Sequence, residues 1–498
     1  MTMLNERTEP LLLANRAPAR LLRTLVVGAG EAGRALARDL AATPSFGLEP
    51  IGFADDNLIE REQPAPFPVL GRLGDVQRIA EEEKVDVVVI AIPGLDPNVF
   101  RQVGHAASSA GASVRYLPSF VAALERKVVG SDMRWLDVGQ LIGREEVHVI
   151  SREAAAMIED RVVLVTGAGG SIGSELCRQV FGFAPRRLIL LDHDESNLHR
   201  LQLELFGQGL LDSDDCIVAD IRDRERIDQV FADARPDLVF HAAAHKHLPL
   251  LERHPCEAVK SNVRGTENVL WAALKYEAER FILISTDKAA DPTSILGATK
   301  RLAELLVQQE HGGTTKVASV RFGNVLGSRG SLLSVLAEQL NAGLPMTVTH
   351  PDMTRFFMTI EEAAGLVVEA ARLADRGEVF VLDMGEPVRI VDIVQSFAKL
   401  MNRSDVDIVF TGMRPGEKLN ETLFSEHETP TLTEHPRIYR TDVAEPAWGF
   451  QQRLRTLYHA ASANDRDAVR RGLTALLPDY HPQVPKIPAQ AAPYPDDF

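Results

Sequence analysis

Thr286, Asp287 and Lys288, followed by Lys300, put a hydroxyl, a carboxyl and two amines into one short stretch of chain, Ser285–Lys300. Groups of these types can move protons to and from a bound molecule. The carboxyl can serve as acid, a neutral amine as base, and the hydroxyl can hold an oxygen between them. Thr286, Asp287, Lys288 and Lys300 are therefore the candidate catalytic residues.

The neighbouring sequence supplies elements to position them. Phe281-Ile-Leu-Ile284 is an apolar run of the kind a buried parallel strand requires. Asp291-Pro292-Thr293 then breaks the chain, and Leu296 to Gln309 reads as a helix. Residues 286–288 would sit just past the carboxyl end of a strand, where open α/β sheets bind ligands. Positions 296 and 300 share one helix face.

A cofactor turn lies upstream. The strand Arg161–Thr166 leads into Thr166-Gly-Ala-Gly-Gly-Ser-Ile-Gly173, with Gly167, Gly170 and Gly173 at the dinucleotide-binding positions, Ser171 and Ile172 between them as further cofactor candidates, and a helix read over Ser174–Phe183. The first glycine permits a tight turn, the second lets backbone approach a pyrophosphate, and the third lets the helix pack close with its N-terminus facing the anion. Asp192, at the end of the strand Arg187–Leu191, stands where a ribose 2′-hydroxyl is bound, which favours NAD; Arg186 and Arg200 leave NADP open. Asp220 ends the strand Cys216–Asp220 and Ile221 follows it, while Ala242 and Ala243 follow the strand Leu238–His241; all four are expected beside the cofactor. His245 and His247 lack a further ligand at metal spacing, so no metal is expected. Lys246 is a candidate for substrate phosphate or hydroxyl. Pro255–Tyr276 reads as one long helix.

A first α/β unit, 23–118, carries Gly28-Ala-Gly-Glu-Ala-Gly33 and the acidic pair Asp55-Asp56. Gly28, Gly30, Gly33 and Asp55 make a possible second nucleotide site, or a scaffold that keeps the turn for packing. The expected class is α/β, with two tandem Rossmann-like, doubly wound parallel-sheet domains. Residues 1–22 are read as a loose arm, 119–160 as a connector with a short helix over 151–160, and 161–440 as the catalytic domain. A substrate lobe falls largely within 323–440, and 441–498 hold one or two helices and a Pro-rich end. In the lobe, Asn324, Arg329, Arg355, Arg414 and Glu417 are candidate substrate ligands, because guanidinium pairs bidentately with phosphate oxygens.

The bulk numbers narrow the class. The chain has 498 residues, 45% hydrophobic and 25% charged, with formal charge −16, which argues against nucleic acid as a partner. Cys177, Cys216 and Cys256 show no disulfide or metal pattern and read as reduced thiols. No apolar run approaches the ~18–20 residues needed to span a bilayer. A cytoplasmic location is expected, with peripheral membrane association left open.

These segments together resemble the CapD-type polysaccharide biosynthesis proteins, nucleotide-sugar 4,6-dehydratases of the extended short-chain dehydrogenase/reductase superfamily. The matching stretches are Val165–Arg178, His241–Lys246, Ser285–Lys288, Gly297–Glu304, Arg321–Gly330, Val348–Arg355 and Arg414–Lys418. The first unit is similar to the domain that precedes the catalytic one in the family's long forms, whose transmembrane helices find no counterpart here. The resemblance implies a substrate such as UDP-N-acetylglucosamine and a tightly held NAD(P) regenerated each turnover. It implies hydride leaving C4 for the nicotinamide, loss of the C5 proton to neutral Lys288, and protonation of the departing C6 hydroxyl by Asp287. Burial and a nearby nicotinamide cation should then lower the Lys288 pKa. Thr286 would hold the C4 oxygen and Lys300 the nicotinamide ribose. The superfamily's usual tyrosine is replaced by Leu296, which leaves the base for the C4 hydroxyl unassigned among Asp287, Lys300 and a water. A 4-epimerase or reductase, or a catalytically silent nucleotide-sugar binder, are the competing readings; a homo-oligomer is expected.

Overall fold

A computed structural model describes residues 21–42, 48–56, 67–92, 97–116, 134–135, 150–206, 213–310, 313–326, 332–342, 344–400, 406–441, 446 and 448–482. Arg329 lies outside them. The chain divides into two compact units, Met1–Leu136 and Asp137–Phe498.

The first unit is built on six strands: β1 (Leu22–Val27), β2 (Leu48–Ala54), β3 (Val69–Gly71), β4 (Val87–Ile90), β5 (Ser113–Tyr116) and β6 (Arg134–Trp135). Their order is β3-β2-β1-β4-β5-β6, parallel except for the β5–β6 pair. The chain leaves β1 in one direction and returns through β4 on its other side, so the glycine turn after β1 faces the reversal point of the sheet.

The second unit holds the candidate catalytic residues. Its main sheet contains β7 (Val162–Thr166), β8 (Arg187–Asp192), β9 (Cys216–Val218), β10 (Leu238–His241), β11 (Arg280–Ile284) and β12 (Lys316–Arg321). Short strands β13 (Asn324–Val325), β14 (Met346–Val348), β15 (Thr354–Arg355) and β16 (Phe357–Met358) follow, then β17 (Glu378–Leu382), β18 (Val388–Arg389), β19 (Ile408–Phe410), β20 (Pro430–Leu432) and β21 (Ile438–Thr441). The main order is β20-β21-β17-β12-β11-β10-β7-β8-β9, with β21 antiparallel to both neighbours. Here the reversal falls between β7 and β10.

Strand residues alternate strictly between two apolar layers. Leu164, Ile189, Leu191, Val239, Phe281 and Leu283 pack under helices 224–234, 266–275, 295–309, 450–462 and 466–476. Val163, Val165, Leu190, Phe240, Ile282 and Val320 face the helices 152–158, 171–182 and 360–373 on the other side. Both faces are covered, which is why these strands read as unbroken apolar runs. The helix at 152–158 belongs to this core through Ala154 and Ile158. A smaller cluster including Leu326, Met346, Phe357 and Phe397 forms the lobe, where β13–β16, β14–β19 and β15–β18 pair in twos.

One local expectation is corrected. The long helix at 255–276 is not uniformly α: Val259–Gly265 widens into a π-turn between α segments Pro255–Ala258 and Thr266–Lys275. Such widened turns recur at functional sites. Asn262 in this turn accepts a hydrogen bond from His245 N and donates to His245 O, holding the 241–247 loop.

Candidate active site

Beyond β11 the chain stays extended, with Ser285 N donating to Val320 O and Asp287 N to Phe322 O. Asp287–Ala289 then close a 3₁₀ turn. Ser294 accepts from Gly297 N and so caps the helix Ile295–Gln309. Gly297 is needed here because a Cβ would stand 2.2 Å from the Lys288 carbonyl. The absence of that one carbon lets the helix seat against the turn. Lys300 consequently reaches back beneath the sheet end and donates to Ile284 O at 2.5 Å.

The proton-moving groups meet at this turn. Asp287 is fully buried, and its Oδ1 accepts from Thr286 Oγ1 and from Lys288 Nζ, each at 2.9 Å. Lys288 Nζ also lies 3.4 Å from Asn324 Oδ1 and 3.8 Å from Glu421 Oε1. Gly323 leaves the room Asp287 occupies, since a Cβ there would be 3.2 Å from Oδ2.

The electrostatics correct the expectation for Lys288. Burial acts to lower its ammonium, but the carboxylates of Asp287 and Glu421 outweigh burial and the net shift is upward. Lys300 shows the depression instead: burial brings it down to about 8, against a weaker upward pull from Glu304. Glu421, which nothing in the sequence singled out, is pushed above the carboxylate range by burial and by Asp287.

The dinucleotide turn has the shape its glycines require. Gly167 adopts φ +68, and a Cβ on it would stand 2.6 Å from Ala243 N; one on Gly173 would stand 2.1 Å from Gly167 O. The helix Ser171–Gly182 has Gly170 as its N-cap, with no side chain capping it, and a helix N-terminus of this kind suits an anion. Asp192 accepts from Gly169 N at 2.8 Å and from Asp194 N at 3.0 Å, fixing the carboxylate at the sheet end. Ala242 continues from β10 toward β7, its N donating to Thr166 O. Asp220 pairs with the Arg222 guanidinium at 2.5 Å, and Ile221 packs against Gly265. These residues fit a dinucleotide.

Under the turn, His241 bridges Thr166 Oγ1 at 2.7 Å and Thr266 Oγ1 at 2.9 Å. Thr266 donates to Asn262 O, so it accepts from His241 Nε2–H and leaves Nδ1 to accept from Thr166. Burial, with Lys300 nearby, drives the imidazole pKa down to about 3. It is a neutral structural bridge.

Substrate candidates divide. The loop carrying Arg414 and Glu417 packs on the start of the 295–309 helix: Gly416 sits against Ser294 and Glu252, and Thr293 Oγ1 donates to Gly416 O. Glu417 closes that loop by accepting from Arg414 N, and Arg414 is exposed. Arg355 is buried, with three of its N–H groups donated to the carbonyls of Thr354, Leu419 and Lys418, so it ties the 417–419 segment down as well as facing the site. Lys246 is exposed in its loop. Among the described residues no cluster of His, Cys, Asp and Glu could hold a metal.

Sequence reasoning also passed over an ion network directly behind the turn. Arg321 forms paired contacts with Glu304 at 2.8 and 2.7 Å and with Glu428 at 2.7 and 2.9 Å, all buried, and Ser285 Oγ donates to Glu304 at 2.6 Å.

Residues 163–443 match the family described as polysaccharide biosynthesis protein, and residues 11–118 match a CoA-binding domain. The capsular polysaccharide biosynthesis protein CapD of Staphylococcus aureus is 39% identical over 84% of this chain and 71% of its own length. The chain belongs to the polysaccharide biosynthesis protein family. Its second unit has the extended short-chain dehydrogenase/reductase architecture. A UDP-glucose 4-epimerase of Rickettsia rickettsii is 31% identical over 57% of the chain and 83% of its own length. Among solved structures, Pen from Bacillus thuringiensis superposes with TM-score 0.53 at 32% identity, over 57% of this chain and 88% of its own. Among the described residues no helix is long and apolar enough to cross a membrane.

In the first unit, the glycine turn is built the same way. Gly28 has φ +105 with Ile92 against its missing Cβ, a Cβ on Gly33 would meet Gly28 O at 1.9 Å, and Asp55 accepts from Ala29 N at 2.6 Å. This repeats the arrangement of Asp192 with Gly169. Gly30 precedes the helix Glu31–Ala42 and accepts from Arg34 N.

Proposed function

We propose that this protein is a nucleotide-sugar 4,6-dehydratase acting on UDP-N-acetylglucosamine, giving a 4-keto-6-deoxy sugar for surface polysaccharide. The observation that carries this reading is the buried Asp287–Lys288 contact at 2.9 Å beyond the carboxyl end of β11. An acid and a base on adjacent residues suit removal of a proton and protonation of a leaving hydroxyl on neighbouring carbons.

Gly167, Gly170, Ser171, Ile172, Gly173 and Asp192 would hold a nicotinamide dinucleotide, with Ala242, Ala243, Asp220 and Ile221 along its path. When bound, it supplies reversible hydride acceptance. Lys300, depressed to about 8 and anchored on Ile284 O, would orient the nicotinamide ribose. Thr286 would hold the C4 oxygen. Lys288 in its neutral form would take the C5 proton, and Asp287 would protonate the departing C6 hydroxyl. Asn324, Arg355, Arg414 and Glu417, with Lys246 and Arg329, would receive the UDP portion. Gly28, Gly30, Gly33 and Asp55 are proposed as a second nucleotide site.

Purified protein incubated with UDP-N-acetylglucosamine should yield a product lighter by one water. No such product from any UDP- or dTDP-hexose, in folded cofactor-loaded protein, refutes the reading. Lys288→Ala should lower turnover by about 10²–10⁴-fold while sparing the nucleotide released on denaturation. A second reading, 4-epimerisation, is favoured by the similarity to the Rickettsia epimerase; an isomer of unchanged mass would establish it. Equilibrium dialysis of residues 1–136 within the full chain against NAD and coenzyme A, before and after Gly33→Asp, tests the second site.

A further inference from the structure

Glu421 reaches the catalytic turn from the segment that follows the 414–417 loop, and its side chain is only 2% exposed. Its Oε1 lies 3.8 Å from Lys288 Nζ. Its Oε2 and the Oδ2 of Asp287 are both buried without a hydrogen-bond partner among the described residues. A buried carboxylate oxygen with no donor is costly, so a protonated carboxyl is the cheaper form in such a place.

The proposed dehydration, on which this inference rests, moves four protons per turnover. The C4 hydroxyl and C5 each lose one, the C6 oxygen gains one, and C5 regains one. The helix position that carries a phenol elsewhere in the superfamily is Leu296, which holds no proton and is 6% exposed. Lys288, whose two carboxylate neighbours raise its proton affinity, holds its proton and cannot act as a base until it gives that proton up.

We propose that Glu421 is the proton reservoir of the site, taking a proton from the Lys288 ammonium so that Lys288 becomes the neutral base. An N–H bond breaks and an O–H bond forms, net charge is unchanged, and Glu421 returns its proton to the amine once Lys288 has given the C5 proton back. Glu421 thus acts through Lys288 and is a positioning residue. The groups facing it are Lys288, Asp287, Arg355 and Lys418; Lys288 in turn faces Asp287, Glu421, Asn324 and Arg355. Burial and Asp287 favour the protonated Glu421, while Lys288, Arg355 and Lys418 oppose them. No single neighbour neutralises the pair, and an internal transfer does.

The test is the pH dependence of kcat for the holoenzyme with UDP-N-acetylglucosamine, in wild type and Glu421→Gln. Wild type should be flat through the neutral range, because the proton never leaves the site. Glu421→Gln should fall at least ~10-fold near pH 7 and climb about ten-fold per pH unit towards alkali, with KM little changed, as Lys288 must now lose its proton to solvent. A profile parallel to wild type, displaced or not, overturns the proposal. If the Gln variant does not fold, Glu421→Ala with added formate replaces it: rescue near pH 7 supports the reservoir, and no rescue overturns it. Independently of turnover, the Lys288 ¹³Cε signal in lysine-labelled protein should titrate at lower pH in Glu421→Gln; an unmoved midpoint overturns the coupling. A moved midpoint in protein that never dehydrates a sugar nucleotide keeps the pair and refutes only the functional reading.

Discussion

Glu428→Gln tests whether the ion network behind the catalytic turn holds the lobe to the sheet. Glu428 Oε2 accepts from Arg321 Nη1 at 2.7 Å and from Ser425 N at 2.9 Å, and Oε1 accepts from Arg321 Nη2 at 2.9 Å and Arg301 at 3.3 Å. Arg321 is 0% exposed and the Glu428 side chain 2%. The amide keeps the shape but removes the charge and turns an N–H group towards a guanidinium. Breaking one side of a buried pair costs about 3–5 kcal/mol. Arg321 retains Glu304, so the low end applies, about 3 kcal/mol. The unit Asp137–Phe498, at about 2.1 cal/mol/K per residue, has an unfolding entropy near 0.75 kcal/mol/K. The expected drop in the melting temperature of its calorimetric transition is therefore about 4 °C. Glu279→Gln is the control, because its pair with Arg161 is nearly half exposed and contributes at most about 1 kcal/mol. A Glu428→Gln melting point within about 1 °C of wild type, or a control shift as large, refutes the reasoning.

Arg414→Ala should raise KM for the sugar nucleotide about 10–100-fold with kcat nearly unchanged, since an exposed guanidinium contributes binding alone; steady-state kinetics check it. Lys300 binds its proton less tightly folded, at about 8, than unfolded, at 10.5, so the unfolded state carries more protons across that window. Stability should accordingly rise with pH by about 3 kcal/mol between those values, and denaturant titrations of Lys300→Met should lack that slope. Gly297→Ala places a carbon 2.2 Å from the Lys288 carbonyl; it should cost at least about 2 kcal/mol and abolish turnover before it abolishes folding, read by paired melting and product assays.

Much of this was legible in one dimension. The glycine turn at 167–173, the acidic strand end at Asp192 and the apolar runs of β7, β10 and β11 follow from local rules that a strand, a tight turn and a helix must each satisfy alone. Thr286, Asp287, Lys288 and Lys300 could be picked out for the same reason, as neighbours along the chain. Glu421, Glu304, Arg321 and Glu428 could not. Each is an ordinary charged residue until the fold buries it against a partner up to 133 residues away, as with Lys288 and Glu421. The direction of the Lys288 shift went the same way: burial alone predicts a lowered amine, and two carboxylates reverse it.

From its sequence alone, then, this protein's local conformations, its strand faces and its reactive side-chain types were determined, because these depend on near neighbours and on periodicity. The tertiary structure alone decided which charges share the dry space beyond β11, and so which of them hold protons. Proton affinity depends on distance and dielectric, and neither is written along a chain.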